Sequence, residues 1–225
     1  RRDWSACRNL DVNLELLQEK IELLETEGAR DAWNYVRECL LELRAQELAR
    51  ARKRFRRLDI PAFIEKTQRL FKSIKTENVQ DLSLKESFAG TLAEWREGVA
   101  QAKSRQDPKH LHELRISGKR LRYQLEIIAE LGDSAPKDQV TSLKGLQDEL
   151  GRWHDCHVLL QFVEELIEKP AFVSDHPESQ QILEREIDSE RRKNNAVINE
   201  ILKQAEQLQL GLDSCKAAAT PSDSI

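Results

Sequence analysis

The 225-residue chain has no methionine, only six prolines and eight glycines, and 5% aromatic side chains. So little punctuation over this length argues against a protein of many short strands and favours long helices. No run of 18 apolar residues occurs, so no segment has the length and composition to span a bilayer as a helix. The first residues lack a basic-then-apolar leader, and nothing in them indicates secretion. The four cysteines, Cys7, Cys39, Cys156 and Cys215, are scattered without C-x-x-C spacing, which suits a reducing compartment. A cytoplasmic protein without a membrane partner is therefore expected.

What is abundant is charge. Asp, Glu, Lys and Arg make up 34% of the residues, with 36 basic against 40 acidic. Bulk charge names no partner, so the distribution has to. Apolar residues recur every three or four positions almost throughout, the period of an amphipathic helix. The spacing predicts helices over about 9–25 (ended near Gly28), 30–58, 61–73, 84–106, 108–131, 136–150, 154–168 and 177–210. Asp107 followed by Pro108 reads as an N-cap with proline at the first helical position. Gly132 and Gly151 read as helix stops, residues 76–83 as a polar loop, and the small, polar end of a tail spanning 211–225 as disordered.

An internal repeat supports two helical halves. Residues 7–22 (CRNLDVNLELLQEKIE) align without gaps on 153–168 (WHDCHVLLQFVEELIE), matching Val12 to Val158, Leu14 to Leu160 and Ile21 to Ile167. A long, highly charged helix follows each copy. The expected fold is all-α, a helical bundle.

The most informative segment is 111–128, LHELRISGKRLRYQLEII. At about 100° per residue, His112, Arg115, Lys119, Arg122 and Glu126 share one narrow sector. Leu111, Leu114, Leu121 and Leu125 flank it on one side, and Ile116, Tyr123 and Ile127 on the other. Glu113, Ser117 and Gln124 are left for the water face. A basic row between two apolar flanks sits where an ordinary surface helix keeps its core residues. Buried cations must be neutralised or must line a hydrated cavity. A second helix repeats the pattern, with Arg37, Leu41, Arg44, Leu48, Arg52 and Phe55 on one face. Two such rows suggest a positively lined channel for a linear polyanion, which would meet one cation about every turn, some 5 Å. Arginine suits phosphate because its guanidinium can donate two parallel hydrogen bonds. The plain alternative is an internal salt-bridge network.

The string His112-x-x-Arg115-x-x-x-Lys119-Arg120-x-Arg122-Tyr123, then Leu143-Lys144-x-Leu146-Gln147-Asp148-x-Leu150-Gly151 and Asp155-x-x-Val158, resembles the second half of a CHAD domain, the conserved histidine α-helical domain. Arg8-Asn9-Leu10-Asp11-Val12 resembles the Arg-Asp-Leu-Asp-Val motif of that domain's first half. The resemblance covers nearly the whole chain to about residue 210. It implies two pseudo-repeated four-helix halves around a basic central pore, the first half (1–80) truncated at its N-terminus and the second over 84–210. It also implies binding of inorganic polyphosphate and association with polyphosphate-containing granules. The residues it carries over are His112, Arg115, Lys119, Arg120 and Arg122, with Lys144 and Arg8. Arg54 approximates a basic-aromatic position, and His154 stands where members usually carry Asn or Arg. Arg37, Arg44 and Arg52 rest on the helical wheel.

Three other functions compete. His154, Asp155, Cys156 and His157 are metal-ligand types in one cluster, but no second cluster completes the set; the plain reading has Asp155 capping a helix. Hydrolysis of phosphoanhydrides wants a carboxylate-held metal and a positioned water. The sequence has no P-loop and no H-E-x-x-H, and Glu25-Thr26-Glu27 lacks a following Lys, so binding without turnover, with no cofactor, is expected. Net charge of −4 and few aromatics argue against nucleic acid. A protein-interaction bundle would leave the basic row without a role.

Overall fold

In the computed structural model the described residues are 2–57, 59–73, 84–130 and 137–218. They form helices without strands: α1 (Arg2–Leu23), α2 (Glu27–Phe55), α3 (Ile60–Ser73), α4 (Leu84–Arg105), α5 (Pro108–Glu130), α6 (Lys137–Ile167), α7 (Pro170–Asp175) and α8 (Pro177–Ala218). The all-α expectation holds. The chain divides into two compact units. One comprises Arg1–Leu82 with Gln161–Ile187, the other Ser83–Leu160 with Asp188–Ile225. Helices α6 and α8 thus have residues in both.

In the first unit α1 packs on α2 through Leu10, Leu17 and Ile21 against Trp33, Val36 and Leu40, all buried. Thr26 caps α2, its hydroxyl accepting from the Ala29 N–H at 3.4 Å. Gly28, expected as a stop, instead lies in the first turn of α2, with Ile182 beside it. Lys20 ties α1 to α8 by an ion pair to Glu186 at 3.0 Å, and its ammonium sits 4.9 Å from the centre of the Trp33 ring.

In the second unit α4 and α5 form a hairpin around Leu92, Trp95, Val99, Leu111, Leu114 and Leu121. Gln106 ends α4 with φ of 49°, the left-handed conformation that turns the chain. Asp107 caps α5 as expected, its Oδ1 accepting from the His110 N–H at 2.9 Å. Gly118 lets the two helices meet closely, since a Cβ there would lie 2.8 Å from Cζ3 of Trp95. Leu143, Leu146 and Leu150 of α6 and Ile198, Ile201 and Leu202 of α8 close this core.

Further boundaries change besides that at Gly28, and α1 begins at Arg2 rather than near residue 9. Gly151 does not stop a helix, because α6 runs unbroken from Lys137 to Ile167; an interior glycine costs only about 1 kcal/mol relative to alanine, less than the flanking leucines gain by burial. Asp155 is consequently mid-helix and caps nothing. Pro170 opens a short helix, α7, that the spacing did not suggest. Finally, α8 passes Leu210 and reaches Ala218, with Leu212 in the core, so 211–218 is helix rather than tail. Gly132, the loop at 76–83 and residues 219–225 lie outside the described residues.

Candidate functional site

Helix α5 turns Leu111, Leu114, Leu121 and Leu125 into the core, as the spacing predicts. Ser117 and Gly118 are buried on the same face, where small side chains admit Trp95 and α4. This corrects the placement of Ser117 on the water face. The second apolar flank is corrected too: Ile116, Tyr123 and Ile127 are 39%, 51% and 47% exposed. His112, Arg115, Lys119, Arg122 and Glu126 are therefore half-buried along the border between core and solvent, not between two buried flanks.

Helix α6 faces this row antiparallel, presenting Gln147, Gly151 and His154 at i, i+4 and i+7. The His112 and His154 rings lie 5.3 Å apart. A Cβ added at Gly151 would sit 4.0 Å from Nε of Arg115, so the guanidinium stem crosses α6 where its side-chain bulk is least. Arg122 donates from Nε to Oε1 of Gln147 at 2.9 Å and from Nη1 to Glu126, and its guanidinium carbon lies 4.5 Å from the Tyr123 ring centre. These contacts fix Arg122 in one orientation.

Three polar atoms along this row are left without partners. Nε of Arg115, Nε2 of Gln147 and Nδ1 of His112 are buried without a hydrogen-bond partner among the described residues. Two are obligate donors, and a buried donor without an acceptor costs about 1–3 kcal/mol. A half-buried row of cations with donors left without acceptors is suited to an oxyanion ligand.

Burial, and next His112, push the His154 pKa below the usual histidine range, with Arg115 and His157 adding to the effect and Asp155 opposing it. His157, stacked on Trp153 with ring centres 5.5 Å apart, is also pushed down by burial and by Arg191. The fold thus holds both rings neutral more firmly than the unfolded chain does. As pH falls through about 6.5 the unfolded chain takes up protons first, so this stabilisation is complete above that pH and declines below it. Thermal melts should show a lower midpoint at pH 5.5 than at 7.5, and His154→Gln should reduce that difference; an unchanged difference would show that His154 does not contribute.

The remaining sequence-based residues are placed as follows. Lys144 is exposed and shares the α6 sector of Gln147 and Gly151. Arg120 lies on the far side of α5 from the row, paired with Glu94 at 2.9 Å. There it borders an open cleft of about 300 Å³ whose other charged residues are Glu94, Glu97 and Glu113. In the first unit Arg44 pairs with Asp11, and Nη1 of Arg37 donates to Oε1 of Gln18 at 3.4 Å. Arg8, Arg52 and Arg54 are exposed. The face expected to mix cations with core residues on α2 is not the core face, since Leu41 and Phe55 are exposed while Trp33, Val36 and Leu40 are buried. Among the described residues no group of three or more His, Cys, Asp or Glu is placed to hold a metal ion, and the run His154–His157 gathers no such set.

Spacing did not identify Gln147 or Asp11 as partners of the arginines. Gln147 could have been found from its i, i+4, i+7 alignment with Gly151 and His154; Asp11 is 33 residues from Arg44 and carries no local signal.

Comparison with curated proteins and with solved structures gives no match. The CHAD-domain family model matches residues 2–164. The matched region takes in α1, the α5 row and the α6 residues that face it, and the chain belongs to the CHAD-domain family.

Proposed function

We propose that the protein binds inorganic polyphosphate without hydrolysing it, through the basic row of α5 and the α6 residues that face it in the second unit. The observation that carries this reading is the pair of buried donors without acceptors, Nε of Arg115 and Nε2 of Gln147, in a half-buried basic row one helical turn per cation. Phosphate oxygens supply the missing acceptors, and successive phosphates of a linear chain meet His112, Arg115, Lys119 and Arg122 in turn. His154 and Lys144 extend the site along α6. Membership of the CHAD family supports the choice of polyphosphate over other anions.

Carboxylates already pair with some of these cations. Glu126 holds Arg122, and Asp11 holds Arg44 in the first unit. Partly exposed ion pairs of this kind are worth roughly 0–1 kcal/mol, so a multivalent polyanion can displace the carboxylates. Arg44 and Arg37 form a second basic surface on the first unit, and Arg8, Arg52 and Arg54 contribute long-range attraction. Arg120, facing acids, contributes least.

Titration of the full chain with fluorescently labelled polyphosphate tests the reading. Saturable binding is expected, with orthophosphate competing far more weakly at equal phosphate concentration, because one phosphate cannot engage several turns at once. Equal competition would show a single-anion site and contradict capture of a chain.

A further inference from the structure

Helix α3 has no buried residue. Its apolar side chains Ile60, Phe63, Ile64, Leu70 and Phe71 recur at i, i+3, i+4, i+10 and i+11, and are 49%, 68%, 50%, 58% and 72% exposed. They form one continuous face. Lys66 borders that face on one side, while Lys72 lies further round the helix, near Glu65 and Arg69, which pair on the far side at 2.5 Å. The end of α2 adds Arg52, Lys53 and Arg54, and Arg56 and Arg57 follow, all exposed. From Arg52 to Ser73 the chain carries eight Lys or Arg against two acids, in a protein of formal net charge −4.

We infer that α3 is an interfacial helix that lies on an anionic phospholipid surface. An exposed face of this size needs a cover, and the charge around it selects which. Two copies of the chain meeting through α3 would bring together two sets of like charges, whereas an anionic bilayer complements them. The apolar face enters the acyl boundary, the Lys66 stem on its edge reaches back to headgroups, and the basic run before it adds electrostatic attraction. No helix among the described residues is long and apolar enough to cross a membrane, and α3 does not need to cross one. The expectation of no membrane partner rested on spanning segments and did not address a helix lying in the interface. This inference is independent of the polyphosphate reading.

Co-sedimentation of the full chain with vesicles at physiological salt provides the test. Vesicles of phosphatidylglycerol and phosphatidylcholine in equal parts should bind the protein, and phosphatidylcholine alone should not. Phe63→Ser with Phe71→Ser removes apolar area from a helix without core contacts, so the fold should stand and partitioning should fall at least about tenfold. Polyphosphate binding by that variant should be unchanged, because every cation remains. Absence of vesicle binding by the parent chain overturns the inference. So does an unchanged partition coefficient for the double variant, which would mean charge alone is responsible. Sedimentation showing a dimer of the parent chain that the double variant abolishes overturns it in favour of a second copy as the cover.

Discussion

Arg115→Glu combined with Arg122→Glu is expected to weaken polyphosphate binding by at least about a hundredfold, equivalent to about 2.7 kcal/mol. Charge-assisted hydrogen bonds to phosphate contribute about 1.5–3 kcal/mol each, and reversal adds repulsion to the loss. The helical circular dichroism signal should persist, since both side chains lie at the border of the core rather than within it. Arg122→Glu does place a carboxylate beside Glu126, so Arg115→Gln alone serves as the milder companion. It removes the unpartnered donor without introducing like charge, and should cost roughly tenfold in affinity. Retained affinity in both variants would take the α5 row out of the site.

A second large effect is expected in stability. Gly118→Val should destabilise the second unit by about 1–3 kcal/mol, read as a lower urea midpoint, because its Cβ would lie 2.8 Å from Cζ3 of fully buried Trp95 and the branch would add to the clash. Gly145→Ala is the matched control. It lies in α6 with nothing within 4 Å of an added Cβ, so the ordinary helical preference for alanine should give a gain of about 0.5–1 kcal/mol. Opposite signs for two glycines in helix interiors would confirm that close approach of α4 and α5, not propensity, fixes residue 118. Equal effects would contradict that packing.

The contrast between these glycines also shows what can be read from the sequence. The helical segments other than α7 were legible from apolar spacing, and the Asp107–Pro108 start from capping chemistry. Gly151 was misread because a glycine's local preference is small beside the burial of Leu143, Leu146 and Leu150 around it. The α5 row itself was legible, down to its members. Which apolar flank becomes the core was not: Leu111 to Leu125 and Ile116 to Ile127 are equally hydrophobic by type, and only the positions of α4 and α6 distinguish them. Ser117 is polar in type yet buried because the contact with α4 needs a small side chain. Partners distant in sequence, such as Asp11 for Arg44 or Gln147 for Arg122, leave no periodic trace. The sequence therefore showed the cations but not how far acids and amides had already occupied them.

That occupancy decides how strongly the α5 row can attract a polyanion, and salt reports on it directly. Each cation that engages a phosphate releases condensed counterions, so the logarithm of affinity falls linearly with the logarithm of salt concentration. Polyphosphate should follow this rule as other linear polyanions do. The measurement is the labelled-polyphosphate titration repeated over a series of salt concentrations, on the parent chain and on the Arg115/Arg122 double variant. A steep slope for the parent, made shallower by about two phosphate contacts in the variant, is the expected result. A binding constant indifferent to salt, or the same slope in both proteins, would contradict capture by the α5/α6 row.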